Sequence, residues 1–143
     1  MTEEAAIYAL LERFETAIQN KDADAAVECY ADDVVAYDLA PPLAFGPEAM
    51  RDPAGLREWF ETWNGSIGTD GSDPVLKLDG NLACIWSLRH MTGTKRDGEQ
   101  VDLWFRSMVV LTKQNGAWRI THAHNSVPFA MDGSGRALLD LKP

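Results

Sequence analysis

The chain predicts an α+β fold, a cone in which three N-terminal helices pack on a strongly curved, mainly antiparallel sheet. Two observations predict it. Helical apolar stripes occupy the first half, and strands at hairpin spacing fill the second. Helices followed by a meander segregate to one face of a sheet. Curving that sheet over the first helices leaves an apolar hollow suited to a small ligand. The 143 residues are expected to form a single domain spanning 1–143. That length buries roughly two thirds of the unfolded surface without help from disulfides or metal.

Residues 2–20 carry the first stripe: Ile7, Leu10, Leu11, Phe14, Ala17 and Ile18 recur at helical spacing. Thr2 is placed to cap this helix, and Glu3 and Glu4 suit the positive end of its dipole. A second helix is expected near Ala23 to Tyr30, burying Ala26, Val27 and Tyr30. Val34 to Leu39 is a short strand with Val34, Ala36 and Asp38 on one side and Val35, Tyr37 and Leu39 on the other. Pro41-Pro42 stops it, because proline donates nothing to a ladder.

Asp52-Pro53 opens the third helix, with Leu56, Trp59, Phe60 and Trp63 as its stripe and Asn64-Gly65 as its end. Gly68 to Pro74 reads as a loop. Strands follow near Val75 to Met91 (broken at Asp79-Gly80-Asn81), Gln100 to Thr112 and Trp118 to Val127. The turns Arg96-Asp97-Gly98 and Gln114-Asn115-Gly116 join them, each with glycine where positive φ is needed. The tail after Pro128 is expected to pack as a lid or a dimer contact through Leu138, Leu139 and Leu141.

Composition narrows the function classes. A net charge of −9, from 22 acidic and 13 basic residues, repels phosphate backbones and anionic membranes, so neither nucleic acid nor membrane is an expected partner. The two cysteines, Cys29 and Cys84, lie far apart in apolar contexts and read as small core residues in a reducing compartment. No apolar run is long enough to span a bilayer, and the acidic, helical N-terminus does not look like a signal peptide. The expected setting is the cytoplasm.

The most informative stretch is Trp118 to Pro128. Read as an unbroken strand, it puts Trp118, Ile120, His122, His124 and Ser126 on one face, apolar at one end and polar at the other. A sheet does this where its core gives way to a pocket. Two imidazoles on a pocket wall can titrate near neutrality, donate hydrogen bonds or bind metal; each can equally be satisfied by nearby backbone. Arg106, with Asp102 and Trp104 on its face, sits in a run otherwise apolar on both sides. It needs either a carboxylate partner, such as Asp102 or Asp38, or an anionic or carbonyl ligand. Trp59, Trp63, Trp86 and Trp104 are pocket walls or plain core. His122, His124 and Asp38 would imitate a two-His-one-carboxylate metal set, but no third ligand is fixed by spacing, so neither metal nor another cofactor is expected.

The segments Leu10-Leu11-Glu12-Arg13-Phe14, Tyr30-Ala31-Asp32-Asp33, Tyr37-Asp38 and Gly46 resemble the first half of the nuclear transport factor 2-like superfamily, in its ketosteroid isomerase and SnoaL-like polyketide cyclase branch. The ending Gly116 to Ser126 is similar to SnoaL-like and stress-associated groups, and to a tryptophan-to-histidine strand in the association domain of calcium/calmodulin-dependent kinase. The resemblance covers nearly the whole chain and implies the cone fold. It places the isomerases' base aspartate on Asp38. It also places the tyrosine of their oxyanion hole on Phe14 and the acid of that hole at or beside Phe105, so both donors are missing here.

Two functions compete. One is an isomerase, cyclase or dehydratase acting on a small, largely apolar carbonyl compound. In it Asp38 is the base and Arg106 with His122 or His124 stabilises the enolate, all converging on one cavity, with Phe14, Tyr37, Trp59, Trp63 and Trp104 as substrate contacts. The other is a non-catalytic ligand-binding or dimerisation module. A homodimer is expected through the outer sheet face, because Leu103, Phe105, Val109 and Leu111 alternate with Trp104, Met108 and Val110, more apolar surface than one core can hide.

Overall fold

A computed structural model describes residues 1–143. Helix α1 (Glu3–Gln19) starts where Thr2 accepts a hydrogen bond from the Ala5 amide at 3.1 Å, and it buries Ile7, Leu10 and Ala17. Helix α2 (Ala23–Val27) is capped by Asp22. It is shorter than its sequence suggests: Tyr30 opens strand β1 (Tyr30–Tyr37). The connection to the next strand holds α3 (Pro47–Arg51), a short segment unforeseen in the sequence, and α4 (Pro53–Glu61), capped by Asp52.

Trp63 does not end α4. The amide and hydroxyl of Thr62 both bond the Trp59 carbonyl, which closes the helix at Glu61. Trp63 instead begins β2 (Trp63–Gly71), so much of the expected loop is strand. Three hairpin-linked strands follow a short β3 (Val75–Asp79): β4 (Leu82–Lys95), β5 (Gln100–Gln114) and β6 (Ala117–Ser126). The turns behave as their residues require, with φ of 91° at Gly98 and of 53° and 79° at Asn115 and Gly116.

The sheet runs β1-β6-β5-β4-β2, and β3 joins the same edge of β4 beyond β2. All pairs are antiparallel except β1 with β6. The curved, unclosed sheet holds the helices on its concave side, which is the expected cone.

Two apolar clusters fill it. The larger joins Ile7 and Leu10 of α1 to Tyr30, Val34, Ile85, Leu111, Trp118 and Ile120. The smaller gathers Ala23, Phe60, Trp63 and Ile67. Trp63 can lie against the sheet because residue 93 is glycine. A Cβ there would sit 2.8 Å from the indole, and φ is +151°. The tail after Pro128 folds back on itself through a Phe129–Ala137 bridge, and Lys142 reaches Asp102 at 2.7 Å. No helix is long and apolar enough to cross a membrane.

Candidate functional site

The placement of His122 and His124 follows from one irregularity in β6. Leu111 of β5 pairs with Ile120, but the next residue back, Val110, pairs with His122, so Thr121 is an extra residue, a β-bulge. A bulge reverses the alternation that follows it. Trp118 and Ile120 point into the core, at 4% and 2% exposure. His122, His124 and Ser126 point the other way, sharing their face with Val110, Met108 and Arg106. The five do not form the single face expected from an unbroken strand, because alternation is lost at Thr121.

Asp38 belongs to the opposite, concave face. Across the parallel pair, Val35 and Tyr37 accompany His122 and His124, whereas buried Ala36 accompanies Ala123. Asp38 and Asn125 continue the Ala36–Ala123 row and meet, with the Asn125 amide donating to Asp38 Oδ1 at 3.2 Å. The Leu39 amide donates to the same oxygen at 2.7 Å. Oδ1 therefore carries both bonds, and Oδ2 has no protein partner.

Around Asp38 the concave wall is apolar with a few polar groups. Tyr30 packs its ring against Phe14 at 5.6 Å between centroids. Burial raises the Tyr30 phenol pKa, and the nearby Asp38 charge adds to the shift. Alternation also turns Leu103, Phe105, Ser107 and Val109 of β5 to this side, half-buried. Arg89 faces the same way and pairs with Glu15 of α1 at 2.5 Å, while Thr69 bonds Glu15 at 2.8 Å.

The expected convergence of Asp38, Arg106, His122 and His124 on one cavity therefore does not occur, and Asp38 cannot share an ion with the two histidines. Of the proposed substrate contacts only Phe14 shares the Asp38 side of the larger cluster. Trp63 is core at 1% exposure, with Trp59 edge-on to it at 5.5 Å and Lys95 above the pair. Tyr37 is on the outer face, 4.9 Å from His122 and 5.4 Å from His124 between ring centroids. His122 Nδ1 lies 2.7 Å from the Val35 carbonyl, which only accepts, so that nitrogen carries the proton. Trp104 is also outside, stacked on His90 at 4.5 Å.

Arg106 finds no carboxylate. Its Nε donates to Ser126 Oγ at 3.1 Å, and neither Asp102 nor Asp38 pairs with it. Asp102 instead holds His90 Nε2 at 2.5 Å and Lys142 at 2.7 Å, while Asp70 holds His90 Nδ1 at 2.9 Å. The Lys142 and then the His90 contact lower the Asp102 pKa. Asn125, Tyr30 and His90 are the side chains that sequence reasoning missed. Only knowledge of the bulge would have moved Asn125 to the Asp38 face.

Comparison with known proteins agrees with this architecture. Residues 7–130 match the model of a SnoaL-like domain. An NTF2-like protein of unknown function from Pseudomonas putida KT2440 is 31% identical, with 100% of this chain and 99% of that one covered and a TM-score of 0.84. A ketosteroid isomerase-like protein from Erwinia carotovora atroseptica is 23% identical over 88% of this chain and 97% of its own, with a TM-score of 0.71. The association domain of C. elegans CaMKII is 19% identical over 87% of this chain and 95% of its own, with a TM-score of 0.63. Among curated proteins none matches. The last two structures share the fold alone, whereas the domain match over residues 7–130 carries a family, and the chain belongs to the SnoaL-like family of NTF2-like folds.

Proposed function

We propose that the chain is a small-molecule enzyme of the isomerase or cyclase type, acting on an apolar carbonyl compound with Asp38 as the base. The observation that carries this reading is the asymmetric holding of Asp38: two donors fix Oδ1, and Oδ2 stays free on a wall of apolar side chains with a few polar groups. A base needs that division, a fixed carboxylate with one open lone pair in reach of the proton it takes. Oδ2 removes a proton next to the substrate carbonyl, and the electron pair moves onto the carbonyl oxygen as an enolate. Return of the proton to another carbon completes an isomerisation; attack by the enolate carbon on a second carbonyl forms the ring, breaks that carbonyl's π bond and leaves an alkoxide that takes the proton back from Asp38.

The enolate needs a donor, and Arg106, His122 and His124 stand on the far side of the sheet. Tyr30 and the second Asn125 amide hydrogen are the groups on the Asp38 side that fill this role. Phe14, Phe105 and Leu103 supply apolar contact. Hydrogen–deuterium exchange at the α-carbon of small cyclic ketones, followed by NMR, tests the base. Exchange catalysed by the wild type and lost in Asp38→Asn supports it, and equal exchange in both refutes it.

A second reading concerns association. The outer face exposes Tyr37 at 44%, Trp86 at 43% and Leu88 at 38%, beside half-buried Val35, Met108 and Val110. Apolar area of this extent marks an interface, and a second copy of the chain is the partner that requires no other gene product. A homodimer seated there is compatible with catalysis on the concave side. The two thiols, neither in a disulfide, fit a cytoplasmic setting.

A further inference from the structure

The concave row that holds Asp38 and Asn125 continues across the sheet. Asn125 pairs with Ser107 between β6 and β5, and Ser107 pairs with Ser87 between β5 and β4. Parity turns both serines to the concave side, because Ala83, Ile85 and Leu111, odd-numbered residues of the same unbroken ladder, are core. Carboxylate, amide and two hydroxyls therefore stand in one line from the end of β1 to β4. Neighbouring strands in that line are about 4.8 Å apart.

The rows on either side are built differently. Ile85, Val109 and Ala123 on one side are all apolar, and Arg89 and Phe105 lie on the other. Two serines opposite each other between these rows add no apolar burial, and both are half-buried. Serines elsewhere on the sheet engage protein groups: Ser72 Oγ accepts from the Leu88 amide at 2.9 Å, and Ser126 Oγ from Arg106 Nε at 3.1 Å. The hydroxyls of Ser87 and Ser107 have no protein partner. Each can both donate and accept.

Charge decides which kind of group they suit. Arg89, the cation beside the row, is already held by Glu15. Asp38 stands in the row itself and the chain carries a net charge of −9, so an anion is disfavoured there. A neutral oxygen, either a hydroxyl or a second carbonyl, meets no such penalty.

We infer that Ser107, with Ser87 behind it, is a subsite for a second, uncharged oxygen of the substrate. The inference rests on the Asp38 reading, in which the reacting carbonyl lies at Asn125. The second oxygen then lies one strand spacing further along the row, about 4.8 Å away. The carbon frame between the two oxygens rests on Phe105 and Val109. Ser107 is a specificity residue and does not touch the reacting atoms.

Two probes of similar shape, 4-hydroxycyclohexanone and 4-methylcyclohexanone, differ in whether the far substituent forms hydrogen bonds. For each, kcat/KM of α-proton exchange and binding by ligand-observed NMR are measured on the full chain. The wild type should favour the hydroxy ketone by about threefold to tenfold, the net worth of one neutral hydrogen bond. Ser107→Ala should abolish the preference, and Ser107→Thr, which keeps the hydroxyl, should retain it. Ser87→Ala should reduce it by less than Ser107→Ala. Equal treatment of the two ketones by the wild type overturns the subsite, as does a preference that survives in Ser107→Ala. Asp38→Asn separates the subsite from the base: exchange is lost with both ketones, while the binding preference persists. If the wild type exchanges neither ketone, the base reading falls and binding alone judges the subsite. A binding preference that Ser107→Ala removes then supports it; no preference, or no saturable binding, overturns it.

Discussion

The same three strands, β4, β5 and β6, build two surfaces of opposite character. On the concave side Ala83, Ile85, Leu111, Trp118 and Ile120 disappear beneath α1, and none of them is more than 7% exposed. On the outer side Trp86, Met108, Val110 and His124 of the same strands remain wholly or partly open to solvent. Alternation alone makes this possible, since neighbours in a strand serve different faces. A residue's role in this chain is set by its parity in the register, and Thr121 resets the parity. Before the bulge, even-numbered residues of β6 are core. After it, they face outward, and Asn125 takes the inward position.

The largest effect that distinguishes the faces is on stability. Ile120→Ala should cost about 2–5 kcal/mol, because it opens a cavity in the larger cluster. His122→Ala, two residues on, should cost only about 1 kcal/mol, the net worth of its bond to the Val35 carbonyl. Chemical denaturation of the two variants measures both. Comparable costs would mean that His122 is also core and that the bulge is absent.

Gly93→Ala sharpens the account of the concave side at its other end. The new Cβ meets the Trp63 ring at 2.8 Å on a backbone with φ of +151°, so a loss of about 1–3 kcal/mol is expected from overpacking. A thermal melt of Gly93→Ala beside Trp63→Leu tests whether the indole is the obstacle. If it is, the double variant recovers part of the loss; strictly additive losses would locate the strain in the backbone.

The smallest effect is expected at the outer edge, in the tail. The Asp102 pKa is lowered in the folded chain, first by Lys142 and then by His90. A depressed carboxylate contributes stability above its unfolded pKa and loses it as pH falls through the lower, folded value. The Lys142 contact should thus hold at neutral pH and release only in acid below the ordinary aspartate range. NMR of the residues near Lys142 follows this directly. Release on raising the pH instead would contradict the assignment.

The contrast between the faces also explains what was legible in the sequence. Helix α1 was plain from its stripe and its Thr2 cap, and the hairpins from Gly98 and Gly116, because these signals are local. Strand β2 was not. Its Trp-Asn-Gly-Ser-Ile-Gly-Thr-Asp-Gly composition is that of a loop, and it is a strand because β4 offers a ladder beside it. The geometry of the candidate site was half legible. Asp38 could be singled out from its motif, and Arg106 from its apolar surroundings. Their separation onto opposite faces could not, since one bulged residue leaves no mark in composition or periodicity. Tyr30 was concealed for a related reason: the short α2 ends early, and parallel pairing with Ile120 draws Tyr30 into the wall.

The central claim is that proton transfer belongs to the concave face and that Arg106, on the outer one, takes no part in it. Its most direct test is the rate of α-proton exchange in a cyclic ketone, measured for the wild type, Asp38→Asn and Arg106→Gln under one condition. The two-face account predicts a loss of about 10²-fold or more in Asp38→Asn, the usual contribution of a general base, and a rate near that of the wild type in Arg106→Gln. Equal losses in both variants would contradict it, because they would return Asp38 and Arg106 to a single site.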